Sequence, residues 1–368
     1  MNNCFLISFI YCCIFFFSKG KLVELLLKYG ANANYAEPSY DKLTPLHYAI
    51  RNTDFITFDK SILNLLISYG ASLYARKENG MTPLHYAVWL NIHNHSLYQI
   101  LLNAGSDVNA RDNEGRTALF IATLRNNFMA MKELLKVGAN INILDNKGET
   151  CIGRLFSNRL TSVSRNGGDV YQGFFLIEKH VKKLIAAHLH VNELVKMYCF
   201  EFFEFFRRRK PDSSYMNDND EFIKSCRKEI EALKRVKISG FTSLYDILFK
   251  NHREMSYYVK NDTFSVICNS SCLDSQFPQY ANLIRSQFIR GSSRSVFMEP
   301  AKESLLFLLG FNLPDLCCQT ILKYLDNEDL DSVIKSKFVK TNKRKAEEVN
   351  ENIVPRRKSL RIREYCKY

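Results

Sequence analysis

The sequence predicts an all-α protein: a solenoid of stacked helical pairs, followed by an irregular helical C-terminal domain and a disordered basic tail. Three observations carry that reading. Two landmarks recur on a shared period of about 35 residues up to residue 156, helical rather than strand-like periodicity dominates beyond it, and positive charge gathers at the end. The 368 residues are 46% hydrophobic and 13% aromatic, enough for buried cores in two or three domains. Of the net charge of +13, +6 lies in Lys340–Tyr368, where ten Lys/Arg face four Glu.

The first landmark is Thr44-Pro45-Leu46-His47-Tyr48-Ala49. It recurs as Thr82-Pro83-Leu84-His85-Tyr86-Ala87, then as Thr117-Ala118-Leu119-Phe120-Ile121-Ala122, and in worn form from Thr150-Cys151-Ile152-Gly153, at Thr spacings of 38, 35 and 33. The second is a Leu-Leu pair running into Gly30, Gly70, Gly105 or Gly138, spaced 40, 35 and 33. Thr caps the first helix through its hydroxyl, and Pro sits at the first helical position, where no amide hydrogen is needed. Leu46, Leu84 and Leu119 face inward, while Ala49, Ala87 and Ala122 let helices approach. Leu65-Leu66, Leu101-Leu102 and Leu134-Leu135 fill the core between repeats, and the glycine after each takes the left-handed conformation that ends a helix. Asp112–Gly115 and Asp145–Gly148 read as reversing turns.

Helix, turn, helix and hairpin tip in this order resemble the ankyrin repeat over residues 21–156. The half repeat is 21–40, full repeats run over about 41–75, 79–111 and 114–146, and a degenerate copy over 147–156. The resemblance implies a stack that is stable only when several repeats pack together, with no active-site pocket. It also implies structural roles for His47 and His85, each bonding backbone and the neighbouring Thr hydroxyl. Its variable positions, on the hairpin tips and the concave ends of the first helices, are the expected target-binding residues: Arg51, Asn52, Glu78, Asn79, Met81, Trp89, Leu90, Asn113, Glu114, Arg116, Leu124 and Arg125. Trp89 is the only tryptophan; it is either an exposed hot spot or tucked under the Asn91–His95 insertion.

Residues 1–20 contain Cys4–Phe17, an uncharged apolar run shorter than the about 20 residues that span a membrane. No basic residue precedes it and no small-x-small site follows it, so it makes a weak secretory signal. Because Lys21–Gly30 reads as the second helix of a repeat lacking its first, a replaced or mispredicted start is the rival reading. The eleven cysteines form neither a disulfide framework nor a zinc spacing and are expected as free thiols.

Residues 157–224 read as a helical connector in which Val181, Leu184, Ile185, Leu189, Val191, Leu194 and Val195 keep helical spacing. Phe200, Phe202, Phe203, Phe205 and Phe206 crowd ahead of Arg207–Lys210, predicting a buried helix on the end of the stack. A membrane-surface helix is the alternative, opposed by charges at its end rather than along one face. Pro211–Asp220 is a loop by composition, Phe222–Val236 an amphipathic helix, and Ser243 the cap of a further helix.

In the domain assigned to 225–337, Leu313, Pro314, Ile321, Leu322, Leu325 and Leu330 match the spacing of the F-box, which the segment Leu313–Leu330 resembles. That family binds a Skp-type adaptor of a cullin-RING ubiquitin ligase. Ankyrin repeats followed by such an end resemble the PRANC arrangement of poxvirus, parasitoid-wasp and symbiont proteins. In the tail, 338–368, Lys343-Arg344-Lys345 and Arg356-Arg357-Lys358 resemble a bipartite nuclear-import signal, implying an importin partner; no aromatic platform accompanies them to favour nucleic acid.

The resemblances together imply an adaptor that captures a target protein and brings it to a cullin-RING ligase, working in cytoplasm and nucleus. Two alternatives stand beside it. One is an ankyrin inhibitor that sequesters a transcription factor or signalling protein without a ligase. The other is a secreted effector, if the N-terminal run is a signal and the sequons at Asn94, Asn261 and Asn269 are used. No Gly-rich phosphate loop, metal-ligand cluster or nucleophile motif occurs, so no enzyme activity, cofactor, metal or small-molecule substrate is expected, and no membrane partner.

Overall fold

The computed structural model describes residues 20–36, 41–54, 61–92, 94–155, 168–209, 218–309, 315–325, 327 and 329–334. These are helical and irregular apart from isolated bridge residues at Leu43, Leu144 and Thr150 and one small antiparallel hairpin, β1 (Lys237–Ser239) and β2 (Thr242–Ser243), which turns at Gly240. The chain divides into two compact units after Ser293.

The first unit opens with α1 (Gly20–Lys28). Three helical pairs follow: α2 (Pro45–Arg51) with α3 (Ser61–Ser68), α4 (Pro83–Trp89) with α5 (His95–Asn103), and α6 (Ala118–Leu124) with α7 (Phe128–Lys136). Each first helix starts where its threonine stops the preceding extended chain. Thr44 and Thr82 hold extended backbone with Pro next, and the hydroxyl oxygens lie 2.9 and 2.8 Å from Nδ1 of His47 and His85. Thr117 Oγ1 accepts from the Phe120 amide at 3.3 Å, and Thr150 Oγ1 from the Gly153 amide at 2.9 Å. The worn copy therefore begins a fourth first helix, over residues 151–155.

The Thr82 amide donates to Nδ1 of His85 at 3.3 Å, so the ring hydrogen sits on Nε2, which donates to the Arg116 carbonyl at 3.1 Å. Burial pushes the pKa of His47 and His85 down to about 4, which keeps both rings neutral. Both histidines are structural, as their motif implied.

Every second helix ends in one geometry. Gly30, Gly70, Gly105 and Gly138 have φ of 87°, 80°, 97° and 77°. The next amide in each case reaches back five residues to a carbonyl: Ala31 to Leu26, Ala71 to Leu66, Ser106 to Leu101 and Ala139 to Leu134. Asparagines then clasp successive turns. Asn34 Oδ1 accepts from the Ser72 amide at 2.6 Å, and Asn109 Oδ1 from the Asn140 amide at 2.8 Å.

The stack continues past residue 156, where the sequence placed a connector. α8 (Gly168–Ala186) closes at His188, whose φ of 56° occupies the glycine role, and Leu189 donates to the Leu184 carbonyl at 2.9 Å. Asn142 Oδ1 accepts from the Asn192 amide at 2.7 Å while its Nδ2 donates to the His190 carbonyl at 2.9 Å. Phe174, Ile177, Val181, Val191, Val195 and Cys199 belong to the same buried core as Leu46 and Leu84. α8 is thus the second helix of the fourth repeat, and α9 (Glu193–Arg209) lays Val195 and Cys199 on that core. The connector assigned to 157–224 is corrected accordingly. Within α9, Phe200 is 66% exposed rather than buried; the side chains of Phe202, Phe203, Phe205 and Phe206 lie outside the described residues. No described helix is long and apolar enough to cross a membrane.

A second core in the same unit is built from α10 (Asp218–Arg235), the hairpin, α11 (Leu244–Ile247), α12 (His252–Tyr258), α13 (Asp262–Asn269), α14 (Cys272–Gln276) and the start of α15 (Ala281–Leu309). Ser243 and Asp246 cap α11 reciprocally, as the Ser cap predicted. Tyrosine hydroxyls tie this module to the stack: Tyr280 donates to the Lys183 carbonyl at 2.9 Å and Tyr245 to the Ala187 carbonyl at 3.1 Å. Arg290 donates to the Val137 carbonyl and, at 3.3 Å, to that of Gly138, capping the C-terminus of α7. Cys151, Cys199, Cys226 and Cys268 are buried, and burial pushes the thiols of Cys151, Cys199 and Cys268 up to about 12, so these behave as small core residues.

The second unit holds the rest of α15, α16 (Asp315–Tyr324) and helical residues 329–334. Ala301, Leu322 and Leu330 form its core, with Phe297, Leu305 and Leu325 packed against it. The buried Arg294 donates to the carbonyls of Leu322 at 2.9 Å and Leu325 at 2.7 Å and to Asn327 Oδ1 at 3.0 Å.

Candidate protein-binding surface

The hairpin tips and the C-terminal ends of the first helices carry the expected target-binding positions. Asp112 shows how a tip is built: its buried carboxylate accepts from the amides of Glu114 at 3.0 Å and Arg116 at 2.8 Å, closing the turn around Gly115, whose φ is 76°. Asp145 repeats the arrangement with the amides of Lys147 and Glu149, both at 2.9 Å. Tips are then locked to one another. Asn113 donates from Nδ2 to the Glu78 carbonyl at 3.1 Å, and Asn146 to the Asn113 carbonyl at 2.9 Å.

These bonds sort the twelve positions. Met81 is 1% exposed and Asn52 is buried, so both lie inside the stack. Arg116 forms a two-pronged pair with Asp112, at 2.9 Å from Nε and 2.8 Å from Nη2, and a further pair with Glu114 at 2.7 Å. Asn113 belongs to the tip-to-tip ladder, and Asn79 accepts from the Met81 amide at 3.3 Å. Leu90 and Leu124 are partly buried against the core. Arg51, Glu78, Glu114, Trp89 and Arg125 are exposed.

Trp89 and Arg125 come together. The Arg125 guanidinium lies 3.9 Å from the Trp89 ring centroid, across from one repeat to the next, and Trp89 remains 37% exposed. In the Asn91–His95 insertion Ile92 is buried and its carbonyl accepts from the Tyr98 hydroxyl at 2.6 Å. Beyond Arg125, a shallow groove of about 180 Å³ runs between tips, lined by Arg116, Phe120, Leu124, Lys147 and Arg154. The same groove is also lined by Glu114, Asp145 and Glu149, so its walls carry both signs of charge around Phe120 and Leu124. An aromatic ring braced by a cation beside such a groove offers rigid contact area for a protein chain.

The ankyrin-repeat family, in three copies, matches residues 9–112 and 91–154. This part of the chain is built of ankyrin repeats. A fowlpox virus protein described as an ankyrin repeat protein (FPV031) is 27% identical over 337 residues, covering 87% of this chain and 80% of its own length. A second from the same virus (FPV219) is 26% identical over 334 residues, 86% of this chain and 66% of its own length. A Borreliella burgdorferi ankyrin repeat protein is 27% identical over 133 residues, 36% of this chain and 53% of its own. The ankyrin stack is a non-catalytic scaffold, and by packing it extends beyond the matched residues to Cys199.

The positions expected to bind a ligase adaptor divide. Leu322 and Leu330 are buried in the second unit's core and Leu325 packs against it, whereas Ile321 is 40% exposed. Leu313 and Pro314 lie outside the described residues, as do Lys343, Arg344, Lys345, Arg356, Arg357 and Lys358, the positions expected for import. The sequence predicts the start of the fourth repeat at Thr150, but neither the Trp89–Arg125 pairing nor that repeat's second helix. The 36-residue step from Trp89 to Arg125 is one repeat period and could have signalled the first.

Proposed function

We propose that the chain is an adaptor whose ankyrin stack holds a target protein at the surface around Trp89 and Arg125. The braced, exposed tryptophan is the observation that supports this reading, because large apolar rings left half-open on a rigid scaffold anchor partners. Proximity labelling with the wild-type chain and with Trp89→Ala plus Arg125→Ala tests it. The paired substitution is expected to remove a defined subset of neighbours; an unchanged set refutes the surface.

The second half of the proposal is that the C-terminal segment recruits a Skp-type adaptor and cullin. The F-box-like spacing supports it, and Ile321 is the matching apolar residue that is exposed. Co-precipitation with Ile321→Asp should then lose both proteins, and equal recovery from wild type and variant, or from neither, sinks this half alone. If recruitment fails while target capture holds, the sequestering role replaces it: target levels then stay constant on expression. The basic tail is proposed to engage importin, and a tagged chain with alanine at Lys343, Arg344 and Lys345 should shift from nucleus to cytoplasm.

A further inference from the structure

We propose that the groove between α8 and α10 docks an acidic amphipathic helix of a partner protein, at a surface separate from the Trp89 face. The groove encloses about 610 Å³. Its floor is apolar: Ile185 is 48% exposed, and Ile223, Ile230 and Ala186 line the space with it. Of the three isoleucines from the two helices, Ile185 stands half in water, Ile223 is partly exposed and Ile230 is buried at the base of the groove. A pocket of this size receives two or three large side chains, the anchoring requirement of a helix laid in a groove.

The rim decides what kind of helix fits. Lys182, Arg227, Lys234 and His188 stand around the floor, with Glu231 as the acidic member of the lining. Glu231 is already paired with Lys234 at 2.8 Å, and Lys182 with Glu178. Arg227 is exposed and makes no ion pair within 4 Å among the described residues. A ligand with carboxylates flanking an apolar stripe meets the charge on the rim and the isoleucines on the floor together; a basic one is repelled. This chain's own tail, with ten Lys/Arg against four Glu in Lys340–Tyr368, is the wrong sign to be the occupant.

Fluorescence anisotropy with the full chain and a labelled synthetic helix tests the proposal. The probe carries Leu at i, i+3, i+7 and i+10 with Glu on both flanks; one control replaces Glu by Lys, and a second scrambles the leucines around the helix. The Glu probe is expected to bind saturably, with affinity falling as salt rises, and both controls to bind at least tenfold more weakly. Ile185→Asp with Arg227→Glu should weaken the Glu probe at least tenfold, while Trp89→Ala leaves it unchanged. Arg227→Glu alone, at an exposed position, serves if the double variant loses its circular-dichroism signature. The proposal is overturned by a flat titration, by equal binding of the Lys probe, or by insensitivity to Arg227→Glu. It is overturned too by self-association of the chain that Arg227→Glu abolishes, which would make a second copy the occupant. Loss of binding in Trp89→Ala would assign the helix to the concave face instead.

Discussion

Acidification from pH 7 to pH 5 should destabilise the first unit by about 2 kcal/mol for each of three buried histidines. His47 and His85 are held at about 4 and His180 at about 3, against an ordinary value of 6.5, with burial the leading cause in each case. The direction follows from where the proton goes. At pH 5 the unfolded chain protonates these rings and the folded chain does not, so stability falls as pH drops through 6.5 and keeps falling until the folded values are reached. Each proton taken up only by the unfolded state contributes about 1.4 kcal/mol per pH unit once it is fully bound. Three rings together give a loss on the order of 5 kcal/mol, comparable with the whole stability of many domains. Glu229 works in the opposite sense: burial raises its carboxyl, so protonation relieves the folded state and offsets part of the loss.

Urea melts followed by far-ultraviolet circular dichroism at pH 7, 6 and 5 measure the slope. His85→Gln is the control, since it removes one of the three titrations: the variant starts less stable but should lose about a third less stability between pH 7 and pH 5. Constant stability across that range refutes the argument, as does a variant slope equal to that of the wild type. The second result would show that His85 is solvated and titrates freely, contrary to its bond to the Arg116 carbonyl at 3.1 Å.

Gly105→Ala should be far more damaging than Gly148→Ala. Both have positive φ, 97° and 76°, but a Cβ at Gly105 would lie 1.9 Å from Ser293 Oγ while one at Gly148 meets nothing within 4 Å. Gly148→Ala should cost about 1–2 kcal/mol from backbone strain alone, with Gly105→Ala exceeding it in paired thermal melts; equal shifts would remove the packing of α15 on that turn. Asn142→Ala deletes both clasps to the fourth repeat's turn, at 2.7 and 2.9 Å, and should destabilise by about 1–3 kcal/mol. Its amide exchange should rise first at residues 187–192, and uniform protection loss across the stack would refute a separable fourth repeat.

The repeats were legible wherever one residue type does one local job. Thr, Pro and Gly at fixed offsets act through hydroxyl capping, fixed φ and positive φ, and these depend on the nearest few residues alone. Asp112 and Asp145 likewise close their turns within four residues. The second half of the fourth repeat was hidden because its markers were exchanged for others that do the same physical work. His188 takes the left-handed conformation that Gly138 takes one repeat earlier, and Leu189, Val191 and Asn192 stand where Ala139, Ile141 and Asn142 do. The step from Gly138 to His188 is 50 residues rather than 33, so a search for a constant period passes it by. Contacts between distant segments were beyond reach for another reason. No local preference of Arg290 or Tyr280 announces that one will cap α7 and the other bond the Lys183 carbonyl, 97 residues away.

The C-terminal motif shows the same limit in sharper form. Apolar residues at Ile321, Leu322, Leu325 and Leu330 have a spacing that suits a partner's groove, but a helical pair packing on its own core needs that spacing too. The structure separates neighbours that sequence treats as equivalent: Leu322 is 1% exposed and Ile321 40%. Arg294 fixes this division by holding the Leu322 and Leu325 carbonyls, which sets the rotation of α16 and so determines which of its residues meets solvent. A partner that needs Leu322 or Leu330 would have to open the second unit, whereas one that needs Ile321 can bind it closed. Leu322→Ala should therefore lower the stability of the second unit by about 2–5 kcal/mol as a cavity-forming change. Ile321→Ala should leave stability within about 0.5 kcal/mol. If Ile321→Ala nevertheless abolishes recruitment, docking on the closed unit is the mechanism; if only Leu322→Ala does, the motif acts as core.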